Sequence, residues 1–250
     1  MKGVANSFSK SQRYLQHRFI QEQVEKKLLL LLEQTMSDAN YHRVRALEVG
    51  CVGSTSTRWL LDRYSLVEGV DISEGQGLRA MQQYPELQFR VADIAKEELP
   101  PNQFDLIFSS MCLHWVDSLE QTVAKLFNAL APGGVLAYAL PLQDSLKEIS
   151  ATLQERYGYM PINQFPNMLD ARIGIGFDAR SVDYACFWFE QRFESMKLFF
   201  EHFRTTGTNT YLGESNLAMR ASKLRQVLSQ EVGEVNARYQ IGFIIAVKEG

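Results

Sequence analysis

Short apolar segments alternate with helical segments between residues 44 and 141, and this alternation constrains the fold more than any other feature. The apolar segments predict strands at residues 44–50, 66–73, 87–94, 104–111 and 135–141. Between them the sequence predicts helices at residues 57–64, 77–84 and 118–130. Strands that alternate with helices at this spacing indicate βαβ units and a mostly parallel sheet. We therefore predict an α/β fold with helices on both faces of the sheet and ligands at the carboxyl ends of the strands.

The segments that flank this alternation have a different pattern. Residues 8–35 lack Gly and Pro and carry apolar residues among charges, which predicts a long N-terminal helix. From residue 144 the alternation fades. The sequence here predicts helices at residues 146–157, 193–204 and 216–227. It also predicts a loop-rich segment at 163–176 and a strand at 184–190. Residues 241–247 predict a last strand. We divide the chain into a core (1–143), a cap or insert (144–236) and a terminal strand that returns to the sheet (237–250).

Composition excludes several classes of protein. A net charge of -3 over 250 residues argues against a general nucleic-acid binder, because such proteins need a basic face. The longest aliphatic run, Leu28 to Leu32, falls far short of the ~20 residues of a membrane span, and residues 1–19 lack the apolar core of a secretory signal. The 3 cysteines are widely separated, without metal-ligand spacing. We therefore expect a cytoplasmic protein without a metal site.

Acidic residues stand at the ends of three consecutive predicted strands. Glu48 belongs to the first, Asp71 to the second and Asp93 to the third. Because the carboxyl ends of parallel strands meet at one edge of the sheet, we expect these carboxyl groups near a common site. Ionised carboxylates accept hydrogen bonds from ribose hydroxyls, and an adenine amine also needs an acceptor. The pattern therefore predicts a site for a nucleoside-containing cofactor.

These residues, with the turn Pro132-Gly133-Gly134 before the fifth strand, resemble the class I S-adenosylmethionine-dependent methyltransferases, which have a Rossmann-like sheet. Asp71 follows Glu48 by 23 residues and Asp93 follows Asp71 by 22, and both spacings suit that family. The resemblance implies S-adenosyl-L-methionine as cofactor. It implies that Glu48 and Gly50 lie at the methionine end of the cofactor and that Ser109 and Ser110 lie near its sulfonium. It also implies that Asp71 accepts the ribose hydroxyls, with Ile72 packed on the adenine. Asp93 would accept the adenine amine, with Ile94 beside it.

The loop after the first strand departs from the family pattern. The usual E/D-x-G-x-G-x-G would place glycines at positions 50, 52 and 54, whereas this chain has Gly50, Val52 and Ser54. Gly53 is out of register with that pattern, and we include it among the candidate cofactor residues. A dinucleotide dehydrogenase, with G-x-G-x-x-G, fits no better because its second glycine also falls on Val52. Two alternatives remain open. Either the loop accommodates Val52 and Ser54 through different backbone angles, or cofactor binding is weakened or lost.

A narrower resemblance rests on residues 8–14, 104–116, 193–209 and 239–250, which together are similar to the malonyl-acyl-carrier-protein O-methyltransferases of biotin synthesis. It implies esterification of the free carboxylate of a malonyl thioester, carried by acyl carrier protein or coenzyme A. Because a carboxylate is already ionised at neutral pH, this reaction needs no general base. The alternatives are another small-molecule carboxyl methyltransferase, or a methyltransferase-like protein that binds or assembles without turnover.

The candidate substrate residues are Tyr14, His114 and Arg204. The resemblance implies that Tyr14 closes an N-terminal helix over the cofactor, although a core tyrosine is an equal alternative. Arg204 could hold the substrate carboxylate through its guanidinium, or be a solvated charge at a helix end. His114 and Trp115 could line the substrate side or form a packed pair. Arg172 and Arg180 are weaker candidates for the carboxylate, and docking of an acidic carrier would use basic residues of the cap, namely Arg192, Lys197, Arg204, Arg220, Lys223 and Arg225.

Overall fold

The computed structural model describes residues 18–36, 44–158, 163–206, 225–231 and 233–250. Within these residues the chain forms one seven-stranded sheet. Its strands, in chain order, are β1 Arg45–Val49, β2 Leu66–Asp71, β3 Gln88–Val91, β4 Phe104–Ser110, β5 Leu130–Pro141, β6 Ala179–Phe193 and β7 Val235–Lys248. The order across the sheet is β3-β2-β1-β4-β5-β7-β6.

Helices connect and cover these strands. In chain order they are α1 Phe19–Met36, α2 Thr55–Leu61, α3 Glu74–Gln83, α4 Leu119–Ala129, α5 Lys147–Tyr157, α6 Met168–Arg172 and α7 Met196–Thr206, with a 3-10 turn at Leu113–Trp115 and helical backbone at 225–230. No helix in the described part of the chain is long and apolar enough to cross a membrane.

The sheet is mostly parallel, as the sequence predicts. β1 pairs in parallel with β2 and β4, and the parallel pairing extends to β3 on one side and β5 on the other. The last strand, β7, inserts antiparallel between β5 and β6. The predicted return of the terminal strand to the sheet is therefore confirmed. All five parallel strands end at the same edge, and the acids predicted from the sequence lie at or just beyond that edge.

Both faces of the sheet are buried, as expected for parallel strands covered by helices. Along β5, Val135 and Ala137 face one core cluster, which includes α1, while Leu136 and Tyr138 face the other, which includes α4. The apolar face of α1 consists of residues four apart that are buried against the sheet, Ile20, Val24, Leu28 and Leu32. The predicted N-terminal helix is thus confirmed from residue 19 onwards, and residues 8–17 lie outside the described part.

Three predicted elements differ in the structure. The turn predicted at 132–134 belongs to β5, which begins at Leu130. β5 shifts register against β4 between Phe104 and Leu106, and Gly133 has a φ of 75°. The loop-rich segment 163–176 contains α6, whose first turn is capped by the Asn167 side chain, which accepts the N–H of Asp170.

The third difference is the length of β6. The sequence predicts a strand at residues 184–190, whereas the structure has 15 residues, Ala179–Phe193. Pairing with β7 runs along this whole length and supplies backbone partners that a local sequence pattern does not reveal. The segment predicted as a cap or insert, 144–236, therefore supplies the edge strand of the sheet as well as helices, and the division of the chain into domains stays a prediction.

Candidate active site

A cavity opens at the carboxyl ends of β1, β2 and β4. Its volume is about 630 Å³, counted with its open mouth. The lining residues come from these strand ends and from the loops that follow them, and they are Val49, Gly50, Val52, Val70, Asp71, Ile72, Ala92, Asp93, Ile94, Ser110, Met111, Cys112, Trp115 and Val116. The topology thus places the cavity where an open α/β sheet binds its ligands.

Two carboxylates line this cavity. Asp71 ends β2, and its Oδ1 accepts the N–H of Ser73 at 2.7 Å. Burial raises the pKa of Asp71 to about 7, and the hydrogen bond from the Ser73 N–H opposes the rise. Asp93 follows β3, where its Oδ1 accepts the N–H of Ala95 at 3.1 Å. The cavity therefore offers hydrogen-bond acceptors at two separate strand ends.

The remaining walls are mostly apolar, with one hydroxyl between them. Val49, Val70 and Ile94 are buried, and Ile72 stands beside Asp71. Ser110 lines the cavity, and its buried Oγ has no hydrogen-bond partner among the described residues. Buried polar atoms are nearly always paired, so an unpaired one at a cavity indicates a position for a polar ligand atom. Apolar walls with flanking carboxylates suit an apolar base attached to a sugar rich in hydroxyls.

The loop after β1 contains positive φ angles at Gly50 (79°) and Gly53 (72°), whereas Val52 and Ser54 are not among the residues with positive φ. A Cβ on Gly50 would lie 2.5 Å from the Cβ of Cys112, and one on Gly53 would lie 2.8 Å from the Cα of Ala80. Glycine is needed at both positions for conformation and for space. The loop accommodates Val52 and Ser54 because its left-handed residues are the glycines that the sequence supplies.

Glu48 lies beside this loop but does not line the cavity. Its side chain is buried, and its two oxygens receive hydrogen bonds from the hydroxyls of Ser56 and Thr57 at the start of α2. Burial raises the pKa of Glu48, hydrogen bonds from Cys51, Ser56 and Thr57 oppose the rise, and the charge of Glu25 adds to it. The structure thus gives this strand-end acid internal partners.

Glu25 of α1 is a buried site residue that sequence reasoning missed. Its Oε1 accepts the hydroxyl of Ser54 at 2.5 Å and the N–H of Ser56, and its Oε2 lies 2.8 Å from Nη1 of buried Arg18. A signal was present in the sequence, because Glu25 lies one helical turn before Leu29, on the apolar side of a predicted helix. A charge in that position is rarely buried without a partner.

The sequence-predicted cofactor residues therefore separate into two groups. Those that line the cavity are Gly50, Asp71, Ile72, Asp93, Ile94 and Ser110. Glu48, Gly53 and Ser109 are buried behind it. Ser109 Oγ donates to the carbonyl of Val49 at 3.1 Å and so ties the end of β4 to the end of β1. The assignment of each residue to a part of the cofactor stays a prediction.

His114 lies next to the cavity, in the 3-10 turn after β4. Its ring centroid is 4.9 Å from that of Trp115, which lines the cavity, and 5.8 Å from that of Phe165. Burial lowers the pKa of His114 to about 3, so its imidazole is neutral at physiological pH. Its Nδ1 is buried without a hydrogen-bond partner in the described part of the chain. The two rings therefore form a packed pair, and a role for His114 on the substrate side stays a prediction.

The other substrate candidates are not brought to the cavity. Arg204 lies on α7 with its side chain exposed, and Tyr14 lies outside the described residues. The guanidinium carbon of Arg172 is 4.2 Å from the ring centroid of Tyr184, and Arg180 is exposed. Among the predicted carrier-docking residues, Arg192, Lys197, Arg204 and Arg225 are exposed, whereas Arg220 and Lys223 lie outside the described residues.

Comparisons with known proteins agree on the class of this fold. Residues 47–138 match the family model for a methyltransferase domain. A trans-aconitate 2-methyltransferase from Delftia acidovorans is 32% identical over 148 residues, which is 58% of this chain and 53% of the relative. A malonyl-[acyl-carrier protein] O-methyltransferase from Enterobacter lignolyticus is 35% identical over 105 residues, 42% of each chain.

A solved structure of phosphoethanolamine N-methyltransferase 2 from Haemonchus contortus, with bound S-adenosylhomocysteine, has the same fold. Its TM-score is 0.60 at 16% identity, covering 99% of this chain and 61% of that one. This chain spans about half the length of the curated relatives it matches. The matched region, residues 47–138, contains the strands and the loop that form most of the cavity. The sheet therefore has the Rossmann-like methyltransferase fold, and residues 47–138 are similar to the methyltransferase-domain family.

Proposed function

We propose that this protein transfers the methyl group of S-adenosyl-L-methionine to a carboxylate oxygen, and that the free carboxylate of a malonyl thioester is the acceptor. One observation supports the proposal above all others, which is the cavity with Asp71 and Asp93 at neighbouring strand ends and unpaired Ser110 Oγ between apolar walls. The curated relatives include enzymes named for two carboxylate acceptors, trans-aconitate and malonyl-acyl carrier protein.

The cavity residues fit the cofactor by their chemistry. Asp71 would accept the ribose hydroxyls and Asp93 the adenine amine, since ionised carboxylates accept strong hydrogen bonds. Ile72 and Ile94 would pack on the flat base. When bound, the cofactor supplies an electrophilic methyl group on a sulfonium. Ser110 Oγ would then gain the hydrogen-bond partner that it lacks among the described residues.

The acceptor side requires orientation and exclusion of water, and no proton transfer, because a carboxylate is ionised at neutral pH. Neutral His114 offers one ring N–H as a donor and carries no charge that would attract the carboxylate away from the methyl group. Trp115 and Val116 form an apolar wall beside it. Such a surface holds the nucleophile in place and partly desolvated, which are the main sources of acceleration for a displacement of this kind.

Recognition of a protein carrier would use the exposed bases of the C-terminal half. Lys197 and Arg204 are seven residues apart on α7 and therefore share one face of that helix. Both are exposed, so they can meet acidic helices without a rearrangement of the core. A small polycarboxylate such as trans-aconitate is the second candidate acceptor, favoured by the relative from Delftia acidovorans.

The first test is titration calorimetry with S-adenosylhomocysteine, followed by methyl transfer from labelled cofactor to malonyl-acyl carrier protein, malonyl-CoA and trans-aconitate. Micromolar binding with turnover of a malonyl thioester is expected. Turnover of trans-aconitate alone would select the second candidate. An absence of binding at millimolar ligand would reject the enzyme and favour a binding or assembly role on the same fold.

Carrier recognition has a separate test. The double change Lys197→Glu and Arg204→Glu should raise KM for malonyl-acyl carrier protein about tenfold and leave KM for malonyl-CoA unchanged, because only the protein carrier reaches α7. The matched control, Lys197→Arg with Arg204→Lys, keeps the charge and should keep both constants. Equal effects on both substrates would show that these bases hold the malonyl group itself.

A further inference from the structure

A buried cluster of carboxyl and hydroxyl groups joins α1 to the loop after β1. Its members are Glu25, Glu48, Ser54, Ser56 and Thr57, with Arg18 beside them. Residues Glu25 and Glu48 are 1% and 3% exposed, and Ser56 contacts both of them. None of these residues lines the cavity. Two buried acids that share one serine as hydrogen-bond partner, away from water, are costly to ionise together.

Counting hydrogens shows that the fully ionised cluster is incomplete. Each serine hydroxyl has one hydrogen to donate. Ser54 uses its hydrogen on Glu25 Oε1, and beside an ionised Glu48 the hydroxyl of Ser56 would use its hydrogen on Glu48 Oε1. The two serine oxygens are nevertheless 3.0 Å apart, which is hydrogen-bond distance. With both acids ionised, no hydrogen would lie between them.

One extra proton on Glu48 completes the cluster. The Glu48 O–H then donates to Ser56 Oγ, Ser56 donates to Ser54, and Ser54 donates to Glu25. Thr57 still donates to the other oxygen of Glu48 at 2.7 Å and accepts the N–H of Ser54 at 3.1 Å. Every polar hydrogen in this chain of contacts has an acceptor, as buried polar groups require.

The proton belongs on Glu48 because, among the described residues, Glu25 has a cation beside it and Glu48 has none. Arg18 lies 2.8 Å from Glu25 Oε2, and the N–H of Ser56 also points at Glu25. The groups that face Glu48 from the other elements are neutral or acidic, and they are Cys51 in the loop, Asp71 on β2 and Tyr84 after α3. Burial among such neighbours raises the pKa of Glu48.

We propose that Glu48 is a neutral carboxylic acid in the folded protein and acts as a positioning residue, the first donor in a hydrogen-bond chain that fixes α1 to the cofactor loop. This goes beyond the proposed function and does not depend on it, because the chain forms from protein groups alone. It gives Ser54 a role that glycine cannot fill, as the relay between Ser56 and Glu25. It also leaves Asp71 without a charged neighbour at the end of β1.

The test compares Glu48→Gln with Glu25→Gln in the protein without cofactor. A glutamine at position 48 can donate to Ser56 and accept from Thr57, so its Tm at pH 7 should stay within about 3 °C of wild type. A glutamine at position 25 strands the buried Arg18 cation, and we expect a fall of about 10 °C. The opposite order of the two variants would overturn the proposal.

The pH dependence of unfolding is a second measurement. If Glu48 acted only by filling space, replacing it with glutamine would leave this pH dependence unchanged. The folded-state pKa of Glu48 lies above its ordinary value of 4.5, so unfolding releases a proton as pH rises through this window. The unfolding constant of wild type should rise up to tenfold more per pH unit than that of Glu48→Gln, starting near pH 4.5. Asp71 and His114 titrate in both proteins and cancel in the comparison. Parallel pH profiles would show that Glu48 is ionised.

Infrared spectroscopy of wild type keeps the test independent of any variant that fails to fold. In protein labelled with ¹³C-glutamate, a protonated glutamate C=O band should persist at pH 7, where exposed glutamates are ionised. The band should vanish in Glu48→Gln and remain in Glu25→Gln. A wild-type spectrum without that band would reject the proposal, and neither result bears on whether the protein methylates a carboxylate.

Discussion

The ends of β1 and β2 both present an acid whose pKa is raised by burial. The two acids differ in their surroundings, because Glu48 is enclosed by other protein groups and Asp71 lines the cavity. Glu48 is enclosed by the hydroxyls of Ser56 and Thr57 and contacts the cluster that includes Glu25. Asp71 accepts a hydrogen bond from the N–H of Ser73 and lines the open cavity. Acids in register along a sheet edge are therefore not interchangeable. The first supports the loop, and the second is placed to contact a ligand.

The comparison makes Asp71 the site of the largest expected effect on cofactor binding. Asp71→Asn removes the charge from the hydrogen bonds to the ribose, each of which is worth about 1.5–3 kcal/mol, so S-adenosylhomocysteine should bind about 10- to 100-fold more weakly. Titration calorimetry measures the change. Asp62→Asn, at the exposed end of α2, is the matched control and should leave the affinity unaltered. An affinity kept in Asp71→Asn would remove the ribose assignment.

The pKa of Asp71 near 7 predicts a pH-dependent affinity. The ribose hydroxyls donate hydrogen bonds, so they bind the ionised carboxylate, and protons compete with the cofactor below pH 7. The Kd for S-adenosylhomocysteine should rise toward tenfold per pH unit between pH 7 and 5.5 and level off above pH 8. Calorimetry across this range should show the slope in wild type and lose it in Asp71→Asn. A flat wild-type profile would mean that another group anchors the ribose.

Sequence reasoning located these acids but could not distinguish them. The strand-end spacing of 23 and 22 residues predicts the sheet edge and its cavity, because both follow from local βαβ periodicity. The partners of Glu48 were hidden for a physical reason. Glu25 lies 23 residues earlier in the chain, and only the packing of α1 against α2 brings it to Ser54 and Ser56. The periodicity of α1 places Glu25 on the apolar side of the helix, but it does not identify the distant residues that Glu25 contacts.

In the C-terminal half, too, the sequence predicted local elements but not the contacts between distant segments. The final strand was predicted from its apolar run, and its return to the sheet is confirmed by pairing with β5. The full extent of β6 was not predicted, because its exposed edge carries polar and aromatic residues without strict alternation. The candidate Arg204 was chosen by resemblance alone and lies on an exposed helix face. Residues that recognise a substrate follow no general spacing rule, so their positions need the structure.

Ser54→Gly tests whether the hydrogen-bonded cluster around Glu48 stabilises the fold. The variant restores the usual glycine but removes the 2.5 Å hydrogen bond to buried Glu25, so the free energy of unfolding should fall by about 1–2 kcal/mol. Ser118→Gly is the control, because Ser118 also caps a helix and has no buried acid as a partner among the described residues. This change should lower the free energy of unfolding by only a few tenths of a kcal/mol. Guanidinium unfolding measures both. Equal losses would reduce Ser54 to an ordinary helix cap.

Val52→Gly should have the smallest effect, although it also restores a family glycine. Val52 lines the cavity, but the positive φ angles of the loop lie at Gly50 and Gly53, so no strain at position 52 is waiting to be released. We expect a change in S-adenosylhomocysteine affinity of less than about threefold, with a loss of stability under about 1 kcal/mol from the added freedom of the unfolded chain. Calorimetry and guanidinium unfolding check the two values. A tenfold gain in affinity would show that the valine side chain obstructs the site. The shape of the cavity wall, and not its acids alone, would then determine how tightly the cofactor binds.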